Sequence, residues 1–224
     1  MGFQTKVEVG KGIYTISEIS LILRVPYNKV HRYISQYWDG KFSGEYVKNY
    51  SWVTDKSRAV NFYTLIELDT FIKLTDAGVP TKKLINAHNL LVQKFSHPYP
   101  LALKSVMERV KSAGKRVFFE ENNETIISLD GTNQITSNFI THFYEKIDFV
   151  DDIAEKLWPL GKDKDIVCDP TRQFGYPTIA GTRIYPDTIY DLYKNGEKKK
   201  FIADSYELTI QQVENAIKFC SQAA

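Results

Sequence analysis

The chain has 224 residues, 43% of them hydrophobic, and its 29 Lys and Arg against 27 Asp and Glu leave a net charge of +2. Such a chain can build a core, which excludes wholesale disorder. Without an apolar run near the length of a membrane helix or a leader pattern, a soluble, cytoplasmic protein with no membrane partner is expected.

Cysteine use narrows the class further. Cys168 and Cys220 are the only two and lie far apart, so a disulfide framework or a zinc finger is not expected, and two buried thiols are. Thirteen Phe and fourteen Tyr are generous for this length, and some of those rings should reach interfaces. The charge is uneven: residues 1–95 hold 13 Lys and Arg against 8 Asp and Glu, whereas residues 96–224 hold 16 against 19. A mildly basic first half suits a polyanionic partner.

Residues 13–37 read IYTISEISLILRVPYNKVHRYISQY. Thr15 and Glu18 form a capping box at the start of a helix that points Ile16, Ile19, Ile22 and Leu23 inward. Val25-Pro26 breaks it, because proline cannot continue the hydrogen-bond ladder. A second helix buries Val30, Tyr33, Ile34 and Tyr37 and shows Asn28, Lys29, His31, Arg32 and Gln36 on its other face. Two short helices across a tight break make a helix-turn-helix pattern, and the outward set suits phosphates and base edges.

In residues 40–61, Gly, Ser and Asn alternate with Tyr, Val and Trp, as in a hairpin. Lys41, Lys48, Lys56 and Arg58 decorate it, so it reads as a basic wing beside the second helix. Thr64 and Glu67 predict another capping box, with Leu65, Leu68, Ile72 and Leu74 as the buried stripe. Gly78 ends that helix, Pro80 starts the next, and Pro98 and Pro100 close the run after Phe95.

This order of elements over about 80 residues resembles the DNA-binding domain of the MerR family. The resemblance implies a winged helix-turn-helix that binds double-stranded operator DNA, with Asn28, Lys29, His31 and Arg32 at the bases and phosphates and Lys41, Lys48, Lys56 and Arg58 supporting from the wing. Two features depart from that family. The helix from Thr81 is too short for the family's long dimerisation helix, and no cysteine metal loop is present, so metal sensing is not carried over.

Between residues 101 and 158 the pattern predicts a small α/β connector. LALKSVMERVKSAGK reads as a helix stopped at Gly114, RVFFEENNETIISL as a hairpin turning at Asn122-Asn123, and FVDDIAEKLWPLG as a helix ending at Trp158-Pro159. GKDKD, residues 161–165, reads as a linker.

Residues 166–220 hold the densest grammar. Ile166-Val167-Cys168 and Pro177-Thr178-Ile179 read as short strands, and Gly181 permits a tight turn. Pro186 opens a helix burying Ile189, Leu192 and Tyr193, and Gly196 caps it. A short helix follows in KKKFIADSY. Thr209 and Gln212 cap a last helix that buries Val213, Ala216, Ile217 and Cys220 and exposes Gln211, Gln212, Glu214, Asn215 and Lys218.

A catalytic reading of this stretch lacks its parts. No His or Ser partner stands near Asp169 and Asp187, Gly175 and Gly181 match no phosphate loop, and His31, His88, His97 and His142 are scattered. No enzymatic activity, metal or cofactor is expected.

A strand, Asp169-Pro170, Gly175-Tyr176-Pro177, Ile179-Ala180-Gly181-Thr182-Arg183 and a trihelical end with Gly196, Ile202-Ala203, Tyr206, Leu208-Thr209 and Val213 closely resemble the domain-of-unknown-function 433 family. Joined to a MerR-like head, this tail looks like the VapB-type antitoxins of that family. The resemblance implies a type II toxin–antitoxin system: neutralisation of a PIN-like ribonuclease toxin and repression of the antitoxin's own operon as a homodimer. Such a toxin holds its metal with clustered carboxylates, which a guanidinium pairs well. Arg172 and Arg183, with Phe174 and Tyr176 as aromatic anchors, are the candidate toxin contacts. Arg183 is expected chiefly to pin its own loop, and Arg172 to reach the partner.

The expected fold is mainly α with small β elements, an α+β chain in three parts. These are a winged helix-turn-helix over 1–95, a connector over 96–160 and the antitoxin-like module over 161–224. A stand-alone MerR-like transcriptional regulator and a non-enzymatic structural adaptor are the alternatives.

Overall fold

The computed structural model describes residues 10–42, 50–54, 57–113, 116–121, 124–130 and 145–221, with side chains described outside 110–130. The architecture is mixed: helices carry most of the described residues, and small antiparallel sheets join them. Among the described residues no helix is long and apolar enough to cross a membrane. Lys48, Lys56, Gly114, the Asn122-Asn123 turn and His142 lie outside the described residues.

Strand β1 (Tyr14–Thr15) leads into α1 (Ile16–Leu23). The capping box forms as expected: Glu18 N–H donates to the Thr15 hydroxyl at 3.3 Å, and Thr15 N–H donates to the Glu18 carboxylate at 2.6 Å. Arg24 ends the helix at φ 58°, and Pro26 precedes α2 (Tyr27–Tyr33). From Ile34 the helix widens into a π-type segment, Ile34–Phe42, that brings Trp38 and Phe42 into the core. This segment corrects the expected hairpin. Gly40 and Lys41 belong to the end of a helix, and the described strands are only β2 (Ser51–Val53) and β3 (Arg58–Val60), with β1 on the outer side of β3.

Helix α3 (Phe62–Asp76) starts earlier than expected. Asn61 is its cap, accepting from Thr64 N–H at 2.9 Å. The predicted Thr64–Glu67 capping box is therefore absent, and Glu67 is buried in the core instead. Gly78 takes φ +96° past the end of α3, with Val79 N–H bonded to the Leu74 carbonyl at 3.0 Å. Helix α4 (Thr81–Phe95) follows Pro80 and stops at Phe95, as read from the sequence.

Of the two predicted connector helices, one is cut to a single turn and the other is a hairpin. After a 3-10 turn (Pro100–Ala102), α5 is a single turn, Lys104–Met107, and the chain then becomes β4 (Val110–Ala113). It joins β5 (Arg116–Glu121) and β6 (Glu124–Asp130) in one sheet, so the hairpin read there is present. The segment read as a helix ending at Trp158 is a second hairpin, β7 (Ile147–Val150) with β8 (Ile153–Leu157). A bulge at Asp148/Phe149 breaks the alternation that would have revealed the strand. Asp151, at φ 57°, and Asp152 turn it, and the Asp152 carboxylate accepts from Ser105 N–H and Oγ at 2.7 and 2.6 Å.

The C-terminal elements follow their predicted order. Strand β9 (Ile166–Val167) pairs antiparallel with β10 (Thr178–Ile179), and α6 (Pro186–Lys194), α7 (Lys199–Tyr206) and α8 (Ile210–Ser221) complete the module. Thr209 and Gln212 cap α8 reciprocally, with bonds of 3.1 and 3.0 Å. Three details differ from expectation. Residues 162–164 form a 3-10 turn rather than a loose linker, Tyr193 is exposed, and Asn215 is buried. Phe219, not read as core, fills the centre beside Val213 and Ala216.

Two hydrophobic cores result. The larger runs from Tyr14 to Met107 and takes in Ile147, Ala154, Leu157 and Cys168, so connector and head share one interior. The smaller gathers Ile166, Ile179, Ile189, Ile202, Val213 and Phe219. They are joined at β8, whose Leu157 exchanges backbone hydrogen bonds with Cys168, and at α1, whose Leu21 packs on the smaller core.

Candidate nucleic-acid face and the loop at residues 171 to 183

Helix α2 buries Val30 and Tyr33 and leaves Asn28, His31 and Arg32 exposed to solvent. Tyr27 and His31 stack with ring centroids 6.3 Å apart, and the Arg32 guanidinium lies 5.6 Å from the Tyr33 ring. This arrangement puts an amide, an imidazole and a guanidinium on one short helical face. The other predicted cations are less free. Lys29 is held 2.6 Å from Asp76 at the end of α3. Arg58 donates to the Asp39 carboxylate and, at 2.9 Å, to Ser51 Oγ, tying the hairpin to the π-type segment. Lys41 is exposed at the helix end, 5.6 Å from the Tyr37 ring, and not on the hairpin. Sequence reasoning missed both carboxylate partners because Asp76 lies 47 residues from Lys29 and Asp39 lies 19 from Arg58.

The loop between β9 and α6 is built mostly from its own side chains. Asp169 Oδ1 accepts from Thr171 N–H at 3.0 Å and from its hydroxyl at 2.6 Å. Thr182 Oγ1 donates to the Ile179 carbonyl and accepts from Ile184 N–H, which closes the Gly181 turn. Tyr176 donates to Asp187 Oδ2 at 2.9 Å, and Tyr185 donates to Gln173 Oε1 at the same distance. Burial, together with that Asp187 carboxylate, pushes the Tyr176 phenol upward. Most of the motif therefore stabilises a loop, and Tyr176 is one of its struts.

Gln173 at φ 48° and Phe174 at φ 55° both stand in the left-handed region, followed by Gly175 at φ +88°. Two consecutive non-glycine residues there are costly, and such strain persists where the surroundings enforce it. The enforcement comes from the head. Ile13 N–H donates to the Phe174 carbonyl at 2.8 Å, and a Cβ on Gly175 would meet Tyr14 Oη at 2.2 Å. Only glycine fits under Tyr14. The outcome is that Phe174 is 70% exposed, and the Arg172 side chain, two residues earlier, is 60% exposed. Arg172 Nε lies 3.7 Å from Asp169 Oδ2, a loose ion pair. Arg183 is exposed and has no hydrogen-bond or ion-pair partner among the described residues, so it does not pin the loop. The loop thus leaves Arg172 and Phe174 exposed and keeps Tyr176 for itself.

Among the described residues no group of three or more His, Cys, Asp or Glu is placed to hold a metal ion. The pair His88–Glu67 is buried in the head, 3.0 Å apart, with Trp38 Nε1 and Leu101 N–H also donating to the Glu67 carboxylate. It has no access to solvent and serves the interior.

Comparison with known proteins places this geometry. A crystal structure of Rv2018 from Mycobacterium tuberculosis superposes with a TM-score of 0.66 at 19% identity, covering 94% of this chain and 100% of that one. That likeness is one of fold. Rv2308, an uncharacterized protein of the same organism, is 36% identical over 55 residues, which are 25% of this chain and 23% of that protein. The match thus spans about a quarter of the relative's length. The loop and the three helices around Ile189 coincide with a segment that matches a described family: residues 166–220 match the model of the family "Protein of unknown function (DUF433)".

Proposed function

We propose that the chain is a DNA-binding antitoxin that grips operator DNA with its N-terminal head and a PIN-like ribonuclease toxin with the loop at Arg172 and Phe174. The observation that carries the DNA reading is the α2 face, where Asn28, His31 and Arg32 are exposed opposite buried Val30 and Tyr33, next to a small hairpin. A short helix presented in this way suits the major groove, and a homodimer would place two such helices on a palindromic operator. The toxin reading rests on the family resemblance and on the strained backbone that holds Phe174 exposed two residues from the exposed Arg172.

Titration of operator DNA at several salt concentrations tests the first part. Arg32→Ala should weaken binding by about 1–3 kcal/mol if it reads a base, or flatten the salt slope by about 1 if it meets a phosphate. Asp76→Asn releases Lys29 and should strengthen binding and steepen the slope. Unchanged affinity in both variants removes DNA from the α2 face. Co-expression with the neighbouring reading frame tests the second part: its product should copurify with the parent chain and fail to copurify with the Arg172→Ala, Phe174→Ala variant.

A second reading, a regulator with no toxin, is favoured by one contact. Because the Phe174 carbonyl is bonded to Ile13 of the head, the loop also has an intramolecular task. Copurification of no partner with the full chain, alongside retained DNA binding, selects this reading.

A further inference from the structure

Helix α7 carries its charges in the order its own backbone disfavours. Its N-terminal end bears Lys198, at the cap, and Lys200, and its C-terminal end bears Asp204 and, at the closing cap, Glu207. Glu197 lies outside the helix and leaves the first end net positive. A helix dipole favours the opposite order, acids at the start and bases at the end. Lys199 is answered within the chain, 2.8 Å from Glu214 on α8. The side chains of Lys198, Lys200, Asp204 and Glu207 are exposed and have no hydrogen-bond or ion-pair partner among the described residues.

Phe201 stands in the middle of this face. Ile202 and Ala203 enter the small core and Tyr206 packs against it, so the side of α7 that holds Phe201, Asp204 and Ser205 looks to solvent. Phe201 is 58% exposed. A lone exposed aromatic is ordinary on a protein surface. Here it lies between a basic and an acidic end, and the order of those charges decides what can cover it. Lys198 is three residues before Phe201 and Asp204 three after, a spacing that shares one helical face. A second α7 laid antiparallel across Phe201 puts Lys198 of each copy opposite Asp204 of the other. Glu197, four residues before Phe201, then meets Ser205, four after, and the two helix dipoles oppose each other favourably. A parallel copy would set like charges against like. One patch is thus its own complement, which is the requirement of a two-fold interface.

We infer that α7 is a self-association face, on which a second copy of this chain docks antiparallel about a two-fold axis near Phe201. Tyr193 at the end of α6 and Ile210 at the start of α8 adjoin α7 in the chain and are also exposed, which extends the apolar material beyond Phe201. The eight residues of α7 span about 12 Å, so the contact is small and the dimer depends on concentration. The inference gives a surface to the homodimer of the functional reading. It is tested on the chain without DNA or any other partner, so its failure leaves the contacts of α2 and of Arg172 untouched.

Sedimentation equilibrium of the full chain over a range of concentrations is the test. The parent should show a monomer–dimer equilibrium that added salt weakens. Phe201→Ser removes an exposed ring and should raise the dimer dissociation constant at least about tenfold. Lys198→Glu with Lys200→Glu makes both ends of the face acidic, and Asp204→Lys with Glu207→Lys makes both ends basic. Each charge variant should be monomeric, although each suits the helix dipole better than the parent, so a weakened helix is not the cause. Mixed in equal amounts, the two should form a heterodimer, and a chain with all four substitutions should pair with itself again. A parent that stays monomeric at every concentration overturns the inference. So does a dimer that survives Phe201→Ser and both charge reversals, or a mixture of the charge variants that remains monomeric.

Discussion

The core around Trp38 and the core around Ile189 are made of different material. In the head, Trp38 packs at 5.1 Å from both Phe42 and Phe71, and Tyr33 and Tyr37 extend the aromatic cluster. A buried polar cluster, Glu67 with His88, Trp38 and Leu101 N–H, runs through it. The module core is chiefly aliphatic: Ile, Val, Leu and Ala side chains gather with Phe219, and a reciprocal cap fixes the start of α8. An aliphatic core tolerates exchange of one apolar group for another of similar volume. A core with a buried carboxylate is specified by who bonds to it, since each donor left unanswered costs its full desolvation. The head should thus be the fussier half and the module the more forgiving.

The sharpest way to break this contrast is Glu67→Met. It leaves the His88, Trp38 and Leu101 donors unanswered and should cost about 3–5 kcal/mol in denaturant unfolding. Adding His88→Phe, which keeps the stack on Phe42, should recover part of that loss. If Glu67→Met is neutral, the polar cluster does not distinguish the two cores.

Next in size is the seam between the regions. Gly175→Ala must hold φ +88° and push its Cβ against Tyr14, so a loss of about 2–4 kcal/mol is expected. Tyr14→Phe removes the nearest atom and a buried hydroxyl that has no partner among the described residues. Measured in that background, the cost of Gly175→Ala should shrink, and an unchanged cost would place the strain elsewhere.

A smaller effect concerns both regions at once. Burial pushes the Cys220 thiol up to about 12, and it also raises the Cys168 thiol and the Tyr14 and Tyr50 phenols. In the unfolded chain thiols ionise near pH 8.5, so above that the unfolded state binds fewer protons than the folded one. Stability contributed by these groups is complete below that pH and falls as pH rises. Urea midpoints measured from pH 7 upward should decline beyond about pH 8.5. In Cys220→Ala the decline should be shallower.

The smallest expected change is at Phe174. Because its ring is exposed, Phe174→Ala should alter stability by no more than about 0.5 kcal/mol while partner copurification is lost. A large loss of stability would instead make Phe174 part of the seam.

The two regions also differ in how openly the sequence announced them. Capping residues Thr15–Glu18 and Thr209–Gln212, the breaks at Pro26 and Pro80 and the turns at Gly78 and Gly181 all stand where the residues placed them. These signals act within about one helical turn, so a linear reading captures them. Arg172 and Phe174 were named from the motif as candidate contacts, whereas the backbone that exposes Phe174 is enforced by Ile13 and Tyr14 of the head.

Tertiary structure alone decided the rest. Residues 147–157 carry apolar groups at a spacing open to either helix or strand, and pairing of β7 with β8 and of Leu157 with Cys168 resolved it. Glu67 looked like a helix cap until His88, 21 residues on, claimed its carboxylate. Lys29 looked free until Asp76 took it, and Arg58 until Asp39 did. Caps and turns are settled between near neighbours in the chain, whereas strand pairing and charge partners are settled between residues that only folding brings together.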